Sequence, residues 1–340
     1  MKHLFIVNPA AKSVVNHLPD IRAEIEGCFV RYPWLSYDIH VTRWQRDAVG
    51  FIRNYCQKEP GLVRIYAVGG SGILYEVING AVGLPNVQIA CYARSGEDDI
   101  AFIRSLGKNI APLFESVGDL IFAETRQVDL IRCDNSYALS FSMFGMEAMA
   151  GDMGEKLFSG YRVVPSNLCY FCAAMYNIFR SDVEQNYRIL LDDEITLEGS
   201  FLGALIANQP CYGKSFLPGV DARPDSGMLD LYLWNQIPRG SALKILNDYM
   251  RGQYRKWPEY IRHYSFRKMN IRSDDLIAIS LDGEFFYQTE VEYEILPGAV
   301  DFVCPEGFGE SGQGVGSPGN AAAGEPAAAI VETNTGAREA

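Results

Sequence analysis

The sequence predicts a two-domain protein of the α/β class: an N-terminal α/β domain built on a parallel sheet, then a second, β-rich and largely antiparallel domain. Three observations carry this reading. Over roughly the first 110 residues, short apolar runs alternate with helix-length amphipathic segments, the pattern of βα units whose helices cover a parallel sheet. From about Gln127 strand-like runs follow one another across turn residues, the habit of antiparallel sheets. The chain has 340 residues, 48% of them hydrophobic and 21% charged, enough for two buried cores in an ordinary globular protein.

The elements follow in order. Leu4 to Val7 reads as a buried strand stopped by Asn8-Pro9, Leu18 to Arg31 as a helix, and Asp38 to Val41 as a second strand. Asp47 to Gln57 reads as a helix and Arg64 to Val68 as a third strand. A glycine-rich break at Gly69, Gly70, Ser71 and Gly72 precedes a helix from about Leu74 to Val82, and Val87 to Cys91 closes the unit as a short strand. Beyond it VDLIRCD, YALSFSMFG, YRILLDD, ITLEGSFLGALIANQ, LDLYLWN, FRKMNIRS, LIAISLDGE, VEYEILPG and VDFVC are strand-like, with helical patterns near 165–180 and 240–256. The expected domains are therefore 1–125 and 126–305, with a tail at 306–340 dominated by Gly, Ala, Ser, Pro and Glu that has too few large apolar residues to order itself.

Charge narrows the partners. A formal net charge of −12 repels nucleic acid, so no nucleic-acid partner is expected and any anionic ligand needs a local device to hold it. The 8 cysteines are scattered, and the N-terminus reaches Asn-Pro after a few apolar residues. Both features predict reduced thiols and a cytoplasmic protein. Cys169 and Cys172 form the one CxxC, but they lie in an apolar helix-like stretch and the chain has only 4 histidines, so buried packing is the reading there. No apolar run approaches the roughly 18 residues that cross a bilayer, leaving peripheral membrane contact as the only kind. The basic concentration for such contact is Arg251, Arg255, Lys256, Arg262, Arg267 and Lys268.

Four segments could carry chemistry. GGSG, between a strand and a helix, offers free backbone N–H groups at the positive end of a helix dipole, and its glycines let phosphate oxygens approach. The same four residues are equally a tight turn, and they match neither the P-loop nor GxGxxG. FIVNPAAKS sets Asn8 and Lys12 after the first strand, and HVTRWQRDA sets Thr42 after the second. SLDGEFF places Asp282 and Glu284 around a glycine at a strand-to-strand turn, which is also common hairpin chemistry.

Taken in order, these segments resemble the catalytic family of diacylglycerol kinases, bacterial lipid kinases related to sphingosine and ceramide kinases and more distantly to NAD kinases. FIVNPAAKS is similar to the family's opening strand and loop, and VTRWQRDAVGFI to its second strand and helix start, with Arg46 where glycine is frequent. GGSGILYEVINGAVG resembles the hallmark GGDGTLNEVVNGL and retains Glu76, Asn79 and Gly80. VDLIR, SFSMFGMEA around Gly145, PGVDARPDSGMLDLYLW, RGQY and ISLDGEFF resemble the later landmarks, so the likeness runs over about residues 2–305.

The resemblance implies a nucleotide-binding α/β domain and a β-rich lipid kinase domain of the NAD kinase/diacylglycerol kinase type, with the active site in the cleft between them. It implies transfer of the γ-phosphoryl group of ATP, with Mg²⁺, to a lipid hydroxyl such as that of diacylglycerol. The lipid is then met at a membrane surface, and related lipid kinases form homodimers. By position, Asn8, Thr42, Gly69, Gly70, Ser71, Gly72, Glu76 and Gly96 bind the nucleotide. Glu284 is the general base with Asp282 beside it, and Asp225, Ser226 and Met228 stand at a structural Mg²⁺ site. Three departures set a second reading beside this one, a degenerate homologue that binds lipid or nucleotide without turnover. Ser71 and Ile73 replace Asp and Thr of the hallmark, ARSGEDDIAF replaces a stretch close to PLGTGNDFA, and Ser226 replaces the second aspartate of Asp-Asp-Gly. An NAD-kinase-like enzyme with a soluble acceptor fits less well, because its loop aspartate is central to chemistry and stands here as Ser71.

Overall fold

The computed structural model describes residues 1–93, 102–103, 111–158, 176, 184–211, 216–305 and 331–334. The segment holding Gly96 and most of ARSGEDDIAF, the Cys169/Cys172 pair and the helix expected near 165–180 lie outside these residues, as does the tail apart from 331–334. The chain divides into two compact units. Of the described residues, one comprises Met1–Leu130, Tyr137–Leu139 and 297–305, and the other Ile131–Ser136, Ser140–Leu296 and Val331–Asn334.

The first unit is the expected run of βα elements. β1 (Lys2–Val7), α1 (Leu18–Arg31), β2 (Ser36–Val41), α2 (Asp47–Lys58), β3 (Val63–Val68), α3 (Ser71–Ala81) and β4 (Val87–Tyr92) follow in turn. The strands lie in the order β4-β3-β1-β2 and all pairs are parallel. β3 is buried along its whole length, as strands covered by helices on both faces must be. Ile21, Ile25 and Phe29 of α1, Ala48 and Ile52 of α2, and Leu74, Val77 and Ile78 of α3 are the buried side chains of the covering helices. A short helix, α4 (Val117–Phe122), is capped by the Ser116 hydroxyl, which accepts from the Asp119 N–H. The end of the chain's long last strand adds to this sheet, with Asp301 and Phe302 parallel to Gln88 and Ile89 of β4.

The second unit is antiparallel. Its strands are β6 (Ser136–Ala138, most of it counted with the first unit), β7 (Phe141–Gly145), β8 (Gln185–Leu191), β9 (Ile195–Phe201), β10 (Gly203–Ala207), β11 (Leu229–Trp234), β12 (Ile261–Phe266) and β13 (Lys268–Leu281). β5 (Glu124–Cys133) leads into the unit and β14 (Glu284–Cys304) leads out of it. The order β12-β11-β10-β7-β13-β14 is antiparallel throughout. FRKMNIRS and LIAISLDGE, which read as separate strands, form the single strand β13, whose register shifts between Arg272 and Ile277. The polar Ser273-Asp274-Asp275 stretch at that irregularity mimics a turn in the sequence. β8 pairs with β13 on the Arg272 side of the shift, and β9 pairs with β8. Val331–Asn334 lies parallel on β9.

Sequence patterning did not separate out α5 (Met146–Phe158), because MEAMAG follows β7 without a break, nor the edge strand β12. The helical pattern near 240–256 is α6 (Ala242–Met250) with a 3-10 turn at Tyr254–Lys256. Met143, Leu205, Tyr232, Trp234, Ile245, Leu246 and Tyr249 pack into the core of this unit.

Gly145 joins β7 to α5 with φ +65°, and a Cβ there would stand 2.6 Å from the Leu202 carbonyl oxygen and 2.8 Å from the Gly203 Cα. Both the backbone conformation and the space demand glycine. Gly145→Ala is expected to cost about 2–4 kcal/mol of stability. Gly72→Ala, where a Cβ meets nothing within 4 Å, is expected to be neutral or to stabilise by up to about 1 kcal/mol. Urea unfolding of the two variants against wild type reads the contrast.

Candidate functional site

β1 has β2 on one side and β3 on the other, so the order in which strands are added to the parallel sheet reverses at the β1/β3 pair. Open parallel sheets bind ligands at the carboxyl ends of strands at such a switch point. The two loops that meet there are those picked out by the sequence, Asn8–Lys12 after β1 and Gly69–Gly72 after β3. The Asn8 N–H donates to the Val68 carbonyl at 3.1 Å, and the Asn8 side-chain oxygen accepts from the Ala10 N–H at 3.0 Å, folding its own loop. Gly69 has φ +134°, and a Cβ on it would lie 3.1 Å from Ala11 and 3.5 Å from the Asn8 Cβ. The first glycine is thus needed for the close approach of the two loops.

α3 begins at Ser71, and no side chain caps its N-terminus. Its first-turn N–H groups have no intrahelical acceptor, Ser71 and Gly72 are exposed, and the space over Gly72 is open. This is a cradle for an anion, made of backbone and assisted by the helix dipole. Ile73 turns inward instead. It is 2% exposed, with its Cγ2 3.3 Å from the Cβ position of Gly69, so its side chain packs beneath the loop.

The other expected nucleotide residues shape the cradle. Thr42 is buried and its hydroxyl donates to the Val7 carbonyl at 3.3 Å, tying the ends of β1 and β2. Glu76 accepts from the Arg46 N–H at 2.9 Å and from the Ala48 N–H at 3.2 Å, so a carboxylate on α3 caps α2. Asp47 accepts from the Arg43 N–H at 2.9 Å and meets His40 Nε2 at 3.1 Å. The loop 43–46 is thereby held at both ends, with Arg46 in the left-handed region at φ 66°. Asn79 donates to the Tyr75 and Tyr137 carbonyls and accepts from the Tyr137 N–H. A Cβ on Gly80 would meet Ile52 and the Val49 backbone of α2 at 3.1–3.2 Å. Glu76, Asn79 and Gly80 are residues that position the loops.

In the second unit the Asp282-Gly283-Glu284 turn joins β13 to β14. The Asp282 carboxylate accepts from the Ser140 and Phe141 N–H groups at 2.9–3.2 Å, and its own N–H donates to the Phe141 carbonyl. It locks the hairpin tip to the start of β7, in a left-handed conformation at φ 49°. Glu284 opens β14 and is partly exposed.

The turn proposed for a structural ion closes on itself. The Ser226 hydroxyl oxygen lies 3.0 and 3.1 Å from the Arg223 and Met228 carbonyls, either of which can take its one proton, and Asp225 is exposed. Mg²⁺ asks for a near-octahedral set of oxygens anchored by carboxylates. One exposed carboxylate, a hydroxyl and a carbonyl already in use do not fit that demand. Among the described residues no group of three His, Cys, Asp or Glu side chains could hold a metal.

A feature not read from the sequence lies behind β7. Glu147, at the start of α5, is fully enclosed in a recess lined by Met143, Leu205, Phe216, Pro218, Tyr249 and Met250. Trp234 Nε1 donates to its carboxyl at 2.6 Å. Burial pushes this carboxyl up to about 7, while hydrogen bonds from Tyr249 and Trp234 pull the other way. Phe216 and Pro218 come from the SFLPG stretch. The clue was an acid set among apolar residues in FGMEAMA.

Comparisons with known proteins agree with this architecture. Residues 141–304 match the family described as the YegS C-terminal NAD kinase beta sandwich-like domain. The Staphylococcus aureus strain MSSA476 protein named "Putative lipid kinase" is 25% identical over 302 residues, covering 87% of this chain and 90% of that one, and the strain MW2 protein matches to the same extent. The crystal structure of a diacylglycerol kinase from Bacillus anthracis strain Sterne shares the fold. Its TM-score is 0.64 at 20% identity, over 90% of this chain and 97% of that one.

The raised Glu147 carboxyl makes a pH prediction. Between the unfolded value of about 4.5 and the folded value of about 7, the native state binds more protons than the unfolded chain, so stability falls as pH rises through that window and is level above it. The expected loss is about 3 kcal/mol in wild type and absent in Glu147→Gln, which keeps an acceptor for Trp234. Urea midpoints at pH 5 and pH 8 measure it.

The likeness read from the sequence therefore stands: residues 141–304 match the YegS C-terminal NAD kinase beta sandwich-like domain, and 87% of the chain is similar to Staphylococcus aureus proteins named as lipid kinases.

Proposed function

We propose that the protein is a lipid kinase, transferring the γ-phosphoryl group of ATP to a lipid hydroxyl such as that of diacylglycerol. The observation that carries the reading is the uncapped, open N-terminus of α3 at the switch point of a parallel sheet. Its support from relatives is the name lipid kinase borne by proteins that align over 87% of the chain. In this reading the N–H groups from Gly70 to Ile73 hold phosphate oxygens, and the Asn8 and Thr42 loops fix the cradle's walls. Gly96 belongs to the same binding set by its position in the sequence.

Phosphoryl transfer asks little covalent chemistry of a protein. The lipid hydroxyl oxygen forms a bond to the γ-phosphorus as the bond to the bridging β,γ-oxygen breaks, and ADP leaves. Glu284 accepts the hydroxyl proton, with Asp282 holding the turn that carries it. Mg²⁺ bound to the nucleotide supplies charge neutralisation on the phosphates. No step is assigned to an ion at Asp225, Ser226 and Met228.

The second reading, binding without turnover, draws on two observations. Ser71 brings no charge to the cradle, and Ser226 satisfies its own turn in place of an ion.

Calorimetry with ATP, with and without Mg²⁺, and transfer of labelled phosphate to diacylglycerol in detergent micelles separate the readings. Wild type is expected to bind ATP and transfer phosphate. Glu284→Gln is expected to keep ATP affinity while losing about 10²–10⁴ in kcat. ATP binding without transfer to any lipid alcohol selects the second reading. Absence of binding by wild type and by Ser71→Asp overturns the kinase reading and nucleotide binding without turnover.

A further inference from the structure

The outward face of α6 and the 3-10 turn after it set cations around apolar side chains, in a chain whose net charge is −12. α6 buries Ala242, Ile245, Leu246, Tyr249 and Met250. The opposite face therefore presents Leu243, Lys244, Asn247 and Arg251, all exposed and spaced for one side of a helix. Leu243 is 58% exposed, and the Lys244 ammonium lies 5.3 Å from the centre of the Trp257 ring.

Around this patch the exposed cations are Arg239, Lys244, Arg251, Arg255 and Lys256. The acids of the same stretch are Glu259, which is exposed, and Asp248, which is buried and accepts from Trp257 Nε1 at 3.1 Å with Lys256 at 3.8 Å. Arg255 pairs with Asp221 at 2.7 Å. Among the described residues Lys244 and Arg251 have no acidic partner, so a local excess of positive charge faces outward.

We propose that this face docks the protein onto an anionic membrane surface. Cations near such a surface are drawn by its negative potential, a tryptophan sits well at headgroup depth, and Leu243 can enter the acyl boundary. A nucleic acid fits less well, because the patch centres on Leu243 and Trp257 rather than on an unbroken cationic track. The proposal rests on the lipid-kinase reading for its purpose, but its test uses no nucleotide, so either can fail alone.

The test is co-sedimentation of the full chain with vesicles of phosphatidylcholine alone and of phosphatidylcholine mixed with phosphatidylglycerol. Wild type is expected on the anionic vesicles and not on the zwitterionic ones. Each cation near the surface contributes about 1 kcal/mol, so the double variant Lys244→Gln, Arg251→Gln is expected to partition about thirtyfold more weakly. Arg22→Gln with Lys58→Gln, exposed cations of α1 and α2, removes the same charge elsewhere and is expected to change nothing. Leu243→Gln is expected to weaken the binding that survives at raised salt, where charge is screened. Equal loss in the two double variants, equal binding to both vesicles, or no binding by wild type overturns the proposal. Circular dichroism confirms that each variant is folded.

Discussion

The first unit depends on one carboxylate. Glu76 projects from α3 and accepts two backbone N–H groups at the entry to α2, where four orphan donors would otherwise face the solvent. A charge-assisted bond to a helix N-terminus is among the stronger capping interactions. It gains further because it is made across elements, joining the loop after β2 to the helix that follows β3. Gly80 lets α2 and α3 approach closely enough for it, and Asp47 and His40 brace the loop from the other side. The glycine loop at the start of α3 is placed by this packing, since it offers mostly backbone.

The second unit shows the same economy at the Asp-Gly-Glu turn. Asp282 spends its carboxylate on two backbone N–H groups of the strand beside it, a fixed bidentate anchor. Glu284 is left at the edge of that anchored turn, on a strand start that cannot drift. In the proposed reaction Glu284 is the proton acceptor, a role that needs positioning more than strength. Gly145 and Leu202 press against one another at the next layer, and the buried Glu147 follows at once.

Ser71 and Ser226 stand where the resemblance read from the sequence leads one to expect aspartates, and the structure treats them differently. Ser71 is exposed at the mouth of the cradle and caps nothing, so its replacement changes the charge offered to a ligand without disturbing the fold. Ser226 is woven into its turn: its hydroxyl has the Arg223 and Met228 carbonyls within reach of its one proton and accepts from the Met228 N–H. Ile73 has become core, and the loop above it is shaped by apolar packing.

The βα alternation, the strand-rich second half and the glycine loop were legible in the sequence because each is a local pattern. Apolar period and turn residues report on neighbours a few positions away. The ordered landmarks also carried the likeness to lipid kinases. What only the tertiary structure decided depends on contacts between residues far apart in the chain. Glu76 read as a ligand residue, and its two partners lie 28 and 30 positions before it. Asp282 read as a companion to the base, and its partners lie more than 140 positions away. The end of β14 joins the first sheet beside β4, and the Glu147 carboxyl is raised by burial among side chains from distant segments, against the hydrogen bonds from Trp234 of β11 and Tyr249 of α6. A sequence states which side chains a chain owns; their partners, burial and charge state are fixed when distant segments come into contact.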